Sequence, residues 1–313
     1  ITDVDATQWK MAAGGSAEAQ YDVPPDAWYF AQERSNNIPF SVLLEIALQP
    51  CGWLAAYVGS ALTSDVDLCF RNLDGNAQKL RLVTKTSGTL TTRVKLTRVS
   101  SSGGMIIQSY DFEVRDAQGP VYRGDTVFGF FSGQALANQV GIQGATSYTP
   151  GAEELQRSIN PGAYPDQLPF PDVQLRMLDS INIYIADGGP HGLGFLRASK
   201  IVDPHEWFFD AHFYQDPVCP GSLGLESFIQ LIKYAAVQRW GADESTSFEV
   251  TTLNTPHHWS YRGQIIPTNK EIQVEALISA IDDEQRSITA DGFLLVDGKT
   301  IYSMQDFCVN IVT

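Results

Sequence analysis

Trp207-Phe208-Phe209-Asp210-Ala211-His212-Phe213-Tyr214-Gln215-Asp216-Pro217-Val218-Cys219-Pro220-Gly221-Ser222-Leu223-Gly224-Leu225-Glu226 delivers a histidine, a Pro-Gly turn and a carboxylate in quick succession. His212 is embedded in aromatics. Pro220-Gly221 can open a helix whose first backbone N–H groups have no intrahelical partner. The helix that follows is apolar nearly all round: Leu223, Leu225, Phe228, Ile229, Ile232, Ala235 and Ala236 leave almost no polar face between Ser222 and Gln238, as expected of a helix buried on most sides. Glu226 on such a helix is costly unless it is paired or neutralised. Taken singly, a histidine among aromatics reads as a satisfied core residue and Pro-Gly as a plain turn. Downstream come strand-like stretches around residues 248–253, 272–280 and 292–296, with Asp297-Gly298 as a hairpin turn signal. A long buried helix with antiparallel strands is an α+β architecture.

Together, in this order, these residues resemble the active-site segment of the bacterial 3-hydroxydecanoyl-acyl-carrier-protein dehydratase/isomerase family, which carries a histidine followed by Phe, a Pro-x-x-Pro-Gly turn and an acidic residue on its central helix. His212 and Glu226 are 226 − 212 = 14 positions apart, the spacing that family uses. The resemblance continues through Gln230, Tyr261-Arg262-Gly263-Gln264-Ile265-Ile266-Pro267 and Val296-Asp297-Gly298-Lys299-Thr300-Ile301-Tyr302, and so covers most of residues 177–313. It implies a hot dog fold, a long central helix wrapped by a curved antiparallel sheet.

The motif is repeated. Val42-Leu43-Leu44-Glu45-Ile46-Ala47-Leu48-Gln49 reads as a second copy of Leu223-Gly224-Leu225-Glu226-Ser227-Phe228-Ile229-Gln230, at an offset of 226 − 45 = 181. Trp28-Tyr29-Phe30 matches Trp207-Phe208-Phe209, Pro39 matches Pro220, Phe70-Arg71 matches Tyr261-Arg262, and Val121-Tyr122 matches Ile301-Tyr302. The expected architecture is a double hot dog. Its first copy occupies residues 1–131, a Pro/Gly-rich connector 132–176 and the second copy 177–313. The first copy is expected to start at about Trp9, without the lead-in that the second has from Met177 to Phe195. The connector is expected to run over the surface as an extended strap, with a short helix near Glu153 to Arg157.

The copies differ where chemistry would sit. Between Trp28 and Glu45 the first has Ala31-Gln32-Glu33-Arg34-Ser35-Asn36-Asn37, with no histidine, and Phe40 where the second has Gly221. In homodimers of the family each site takes its histidine from one hot dog and its acid from the helix of the other. The resemblance therefore implies His212 and Glu45 as the working pair and the Gly221 N–H as the carbonyl-polarising group. It implies Gln49, Pro220, Phe213 and Cys219 around the substrate, and Glu226 with Gln230 at an idle counterpart. Glu45 stands where the closest family pattern has Asp, and related hot-dog dehydratases use Glu.

Fused pairs with one degenerate half resemble the dehydratase region of polyunsaturated fatty acid synthases. That implies dehydration of a 3-hydroxyacyl group on the phosphopantetheine of an acyl carrier protein, with other synthase domains as partners and no metal or redox cofactor. A homodimer remains open. So do three other activities: an enoyl isomerase, a hot-dog thioesterase and a non-catalytic acyl-binding module.

The formal charge of −15 argues against nucleic acid or an anionic membrane as partner. It also requires a local basic patch or a tether if an acidic carrier is to dock, and Arg34, Arg71, Lys233, Arg239 and Arg262 are the candidates. No apolar run approaches the roughly 20 residues of a membrane span and no signal peptide is visible, so a cytoplasmic setting is expected. The chain starts with Ile and reads as a piece of a larger polypeptide. Cys51, Cys69, Cys219 and Cys308 show neither zinc spacing nor a disulfide framework. Cys219 reads as a small apolar filler. His257-His258 reads as a turn rather than a metal site, and Arg123-Gly124-Asp125, which looks like an adhesion tripeptide, follows a strand-like run inside the first copy and is discounted.

Overall fold

The computed structural model describes residues 1–159, 161–243 and 245–312. Asn160, part of the connector, lies outside the described residues. The chain divides into two compact units that are not contiguous in sequence. One comprises Ile1–Ala27, Asn36–Gln139 and Leu253–Ser260, and the other Trp28–Ser35, Val140–Thr252 and Tyr261–Thr313.

In the first unit, β1 (Asp3–Asp5), β2 (Ser16–Asp22), β3 (Leu68–Lys79), β4 (Thr89–Ser102), β5 (Met105–Asp116) and β6 (Gly119–Ser132) form an antiparallel sheet in the order β1-β2-β4-β5-β6-β3. The alternation that makes these segments strands is plain in β4 and β5. Leu90, Thr92, Val94 and Leu96 of β4, and Ile106, Gln108, Tyr110, Phe112 and Val114 of β5, are buried while the residues between them are more open. Against this face lies an 18-residue helix, α2 (Phe40–Tyr57), with Leu43, Leu44, Ala47, Cys51, Leu54 and Ala55 turned inward. By length and composition α2 could cross a bilayer, contrary to the expectation that no apolar run is long enough. Its packing on β2, β4 and β5 makes it the core helix of this unit. After β6 the chain makes one short helix, α3 (Gly133–Ala137), capped by Ser132, whose hydroxyl accepts from Ala135 N.

The second unit repeats the plan. Its strands β7 (Gly162–Ala163), β8 (Ser180–Ile185), β9 (Phe195–Ile201), β12 (Glu271–Asp282), β13 (Ser287–Val296) and β14 (Lys299–Val312) lie in the order β14-β13-β12-β9-β8-β7, and β10 (Ser247–Val250) pairs with β14. The core helix α6 (Gly221–Trp240) is buried continuously from Ser222 to Ala236 and packs on β12, β13 and β14. The β13–β14 hairpin turns at Asp297 (φ 48°) and Gly298 (φ 80°), the double left-handed conformation that Asp-Gly favours. A short helix, α1 (Trp28–Glu33), belongs to this unit although it precedes α2 in sequence.

Four further expectations need correction. First, the first copy does have lead-in strands, because β1-β2-β4 repeats the order β8-β9-β12. The segment Ser-Ala-Glu-Ala-Gln-Tyr-Asp of β2 hid this, since it has no β-branched residue and buries only Ala17. Second, the connector is not a surface strap throughout. Its Tyr164, Phe170 and Leu175 are buried, and its short helix α4 spans Ala152–Leu155. Third, His257-His258 lies in a strand, β11 (Pro256–Tyr261), paired with β3 through His257↔Ala77 and His258↔Asn76. Fourth, Lys233 is too buried to join any docking patch. Its side chain is 1% exposed.

Candidate active site

The histidine motif starts on α5 (Trp207–Ala211), whose C-terminal residue is followed at once by His212. Phe208 and Phe209 are buried and anchor the turn, so the position of His212 follows from core packing. The ring of Phe213 lies 4.1 Å from the imidazole. His212 Nδ1 sits 2.9 Å from the carbonyl oxygen of Val218. A carbonyl can only accept, so Nδ1 donates and, in the neutral imidazole, Nε2 carries the lone pair. The backbone thus fixes the tautomer a general base needs. Val218 was not among the sequence-derived site residues, because its contribution is a main-chain oxygen that any residue could supply.

From Val218 the chain passes through Cys219 and Pro220, both buried, into α6. Cys219 N donates to Ile265 O at 2.9 Å, and its buried thiol lies 3.5 Å from Pro220 O. The first intrahelical bonds of α6 are Leu223 N and Gly224 N to Pro220 O. The Gly221 N–H therefore has no intrahelical acceptor and lies at the positive end of the helix dipole. Glycine is required here by close approach: a Cβ on Gly221 would fall 2.6 Å from Cε2 of Tyr261. Gly221→Ala is expected to force the Tyr261 ring aside, costing about 1–3 kcal/mol. It should also lower kcat by at least about tenfold by displacing the N–H. Chemical denaturation and steady-state rates on one preparation would check both effects.

The equivalent position in the first unit carries Phe40. Phe40 opens α2, and its ring packs edge-on against Tyr122 (6.2 Å) and His257 (5.4 Å). His257 is fully buried beside Tyr122, with Nε2 2.9 Å from the phenol oxygen. Burial, with His258 and Lys79 nearby, holds its pKa down at about 3.

The two helix carboxylates have different surroundings. Glu45, on α2, is half-buried, and Gln49 one turn further on is exposed. Glu226 is buried on α6, where Gln230 Nε2 donates to its Oε1 at 3.3 Å and Lys233 Nζ lies 3.7 Å from the same oxygen. Lys233 also donates to Glu33 Oε1. Burial pushes the Glu33 carboxyl up, against the pull of Lys233. Burial likewise opposes the Lys233 charge, but Glu33 and Glu226 overcome it and hold the ammonium above its ordinary range. Glu33 escaped the sequence reading. The offset of 179 that carries Trp28 to Trp207 carries Glu33 to position 212, so it occupies the histidine position of the first copy.

Of the basic residues proposed for docking, Arg34 is bound to Asp166 O and Asp172 and Arg239 forms a bidentate pair with Asp283. Arg71 and Arg262 remain at least partly exposed. Among the described residues no His/Cys/Asp/Glu group is arranged to hold a metal ion.

A buried helix entered through Pro-Gly, with a histidine ahead of it and antiparallel strands around it, is the arrangement of a hot-dog domain. Residues 170–305 match the model of the FabA-like domain. The whole chain is 31% identical, over 343 aligned positions, to one of the polyunsaturated fatty acid synthase polypeptides of Thraustochytrium sp., and spans 23% of that protein's length. Three solved structures share the fold at low identity. The pyran synthase domain from module nine of the sorangicin pathway is 13% identical with a TM-score of 0.55, covering 100% of this chain and 98% of that one. The dehydratase domain from the CurJ module of curacin polyketide synthase is 13% identical with a TM-score of 0.51, covering 100% and 96%. A 12:0-ACP thioesterase from Umbellularia californica is 9% identical with a TM-score of 0.52, covering 95% and 94%.

Proposed function

We propose that the chain is a tandem pair of hot dogs that dehydrates a 3-hydroxyacyl thioester to the 2-enoyl thioester, on a carrier protein within a multienzyme synthase. The observation that carries this is His212, held by Val218 as an Nδ1–H tautomer next to a helix whose first turn is bare at Gly221. Nε2 takes the C2 proton, the Gly221 N–H steadies the negative charge growing on the thioester carbonyl, and a protonated carboxyl on a central helix gives its proton to the departing C3 hydroxyl. Water leaves and the double bond forms between C2 and C3.

The acid we assign is Glu45. Support comes from the second unit, where Glu33, at the first copy's histidine position, and Glu226, on the second copy's helix, are joined through Lys233. The histidine position of one copy thus meets the acid of the other. The same pairing applied to the reverse combination gives His212 with Glu45. Tandem organisation is supported by the matching strand orders β1-β2-β4-β5-β6 and β8-β9-β12-β13-β14.

Incubation with a 3-hydroxyacyl pantetheine thioester, with products resolved by mass and double-bond position, tests the reaction. Loss of water to a 2-enoyl product is expected. A 3-enoyl product would add isomerase activity, and release of free acid would replace this reading with a thioesterase. A mechanism-based alkynyl thioester should label one residue per chain, His212. A second stoichiometric label, or labelling that survives His212→Ala, would show that the first copy is also catalytic.

A further inference from the structure

The histidine-less counterpart has not simply decayed. In the second unit three elements far apart in sequence are tied together at one point. Glu33 ends α1, Lys233 and Glu226 lie on α6, and the connector crosses both. The Lys233 ammonium is hydrogen-bonded to Glu33, lies 3.7 Å from Glu226 and stands 5.5 Å from the Phe248 ring. Charges this deep persist only when paired, and removing one partner costs far more than the pair contributes.

Around this cluster the connector is bound to both helices. On the α6 side Gln230 reads its backbone as a strand would: Nε2 donates to Leu175 O at 2.7 Å, Oε1 accepts from Met177 N at 2.8 Å, and Tyr164 Oη donates to Gln230 O at 3.0 Å. On the α1 side Asp172 N and Gln174 N donate to Gln32 O and Oε1 at 2.7 and 3.0 Å. Arg34 Nη1 donates to Asp166 O and Phe170 O at 2.7 and 3.2 Å. The connector therefore depends on α1 staying against α6, and Lys233 bridges those two helices at the end of α1. In the aligned first copy the position of Lys233 is Gly52, since 233 − 181 = 52, so the lysine is peculiar to the idle site.

We propose that the idle site has become a latch: the Glu33–Lys233–Glu226 cluster locks α1 onto α6 and thereby holds the end of the connector and its junction at Met177, residues 164–177, closed over the central helix of the second copy. The connector and α1 then open as one cooperative unit, distinct from global unfolding. This goes beyond the proposed reaction and does not depend on it.

Hydrogen exchange followed by mass spectrometry on the intact chain tests the latch. Lys233→Met, which leaves two carboxylates without their cation, should speed exchange in residues 28–35 and 164–177 together by at least about tenfold, with β4 and β5 unchanged. Replacing the whole cluster, Glu33→Leu with Lys233→Met and Glu226→Leu, should return much of the protection, because no buried charge is left unpaired. If Lys233→Met does not fold, Glu33→Gln decides: it keeps an acceptor for the lysine and should speed exchange in the same two segments by a smaller factor. Unchanged exchange in the connector, acceleration of only one segment, or a uniform rise along the chain would each overturn the latch.

Discussion

His212→Ala is expected to cut turnover of a 3-hydroxyacyl thioester by about 10²–10⁴-fold, the range typical for removal of a positioned general base, while leaving the fold intact. The imidazole is half-buried and its Nδ1 bonds to Val218 O, in an adjoining loop, so the substitution is expected to disturb the core little. Glu45→Gln should fall in the same range, because the amide keeps the shape and loses the transferable proton. Glu226→Gln should leave kcat within a few-fold of wild type, since Glu226 is engaged with Gln230 and Lys233. Steady-state rates for the three variants, with circular dichroism to confirm folding, decide the assignment. Wild-type turnover in Glu45→Gln combined with loss in Glu226→Gln would reverse the roles of the two helices.

The second large effect concerns acid stability. His257 has its pKa lowered from 6.5 to about 3, chiefly by burial. The sign follows from proton binding. Below pH 6.5 the unfolded chain takes up a proton that the folded state refuses, so stability present above pH 6.5 is lost as pH falls toward 3. The full drop corresponds to about 5 kcal/mol, an upper bound for a single buried group. His257→Phe keeps an aromatic ring between Phe40 and Tyr122 and removes the titration. It costs the hydrogen bond to Tyr122, about 1 kcal/mol at neutral pH. The variant should therefore be less stable than wild type at pH 7 and should lose stability less steeply between pH 6.5 and 4. Denaturation midpoints across that range measure it, and parallel curves for the two proteins would show that His257 does not govern acid unfolding.

Much of the site was legible because its parts are local. A histidine, a Pro-Gly helix start and an apolar helix lie within one short run, and each has its meaning through backbone geometry that a few neighbours set. The Asp297-Gly298 turn and the fully buried α6 were readable for the same reason. The proposed repeat rests on the same kind of signal, apolar residues kept at matching positions in the two halves.

The sequence by itself determined the hot-dog pattern of helix and strands, the histidine proposed as base, and the asymmetry between Gly221 and Phe40. Tertiary structure alone decided what the remaining charged residues do. Glu33 and Lys233, 200 residues apart, reveal their pairing only when α1 is laid on α6, since a lysine on a helix reads as solvated until its surroundings are known. The lead-in strand β2 is likewise set by its ladder to β4. The connector's burial comes from hydrogen bonds to Gln230, Gln32 and Arg34. Periodicity and propensity act over a few residues, whereas desolvation and ion pairing depend on which distant segments the fold brings together.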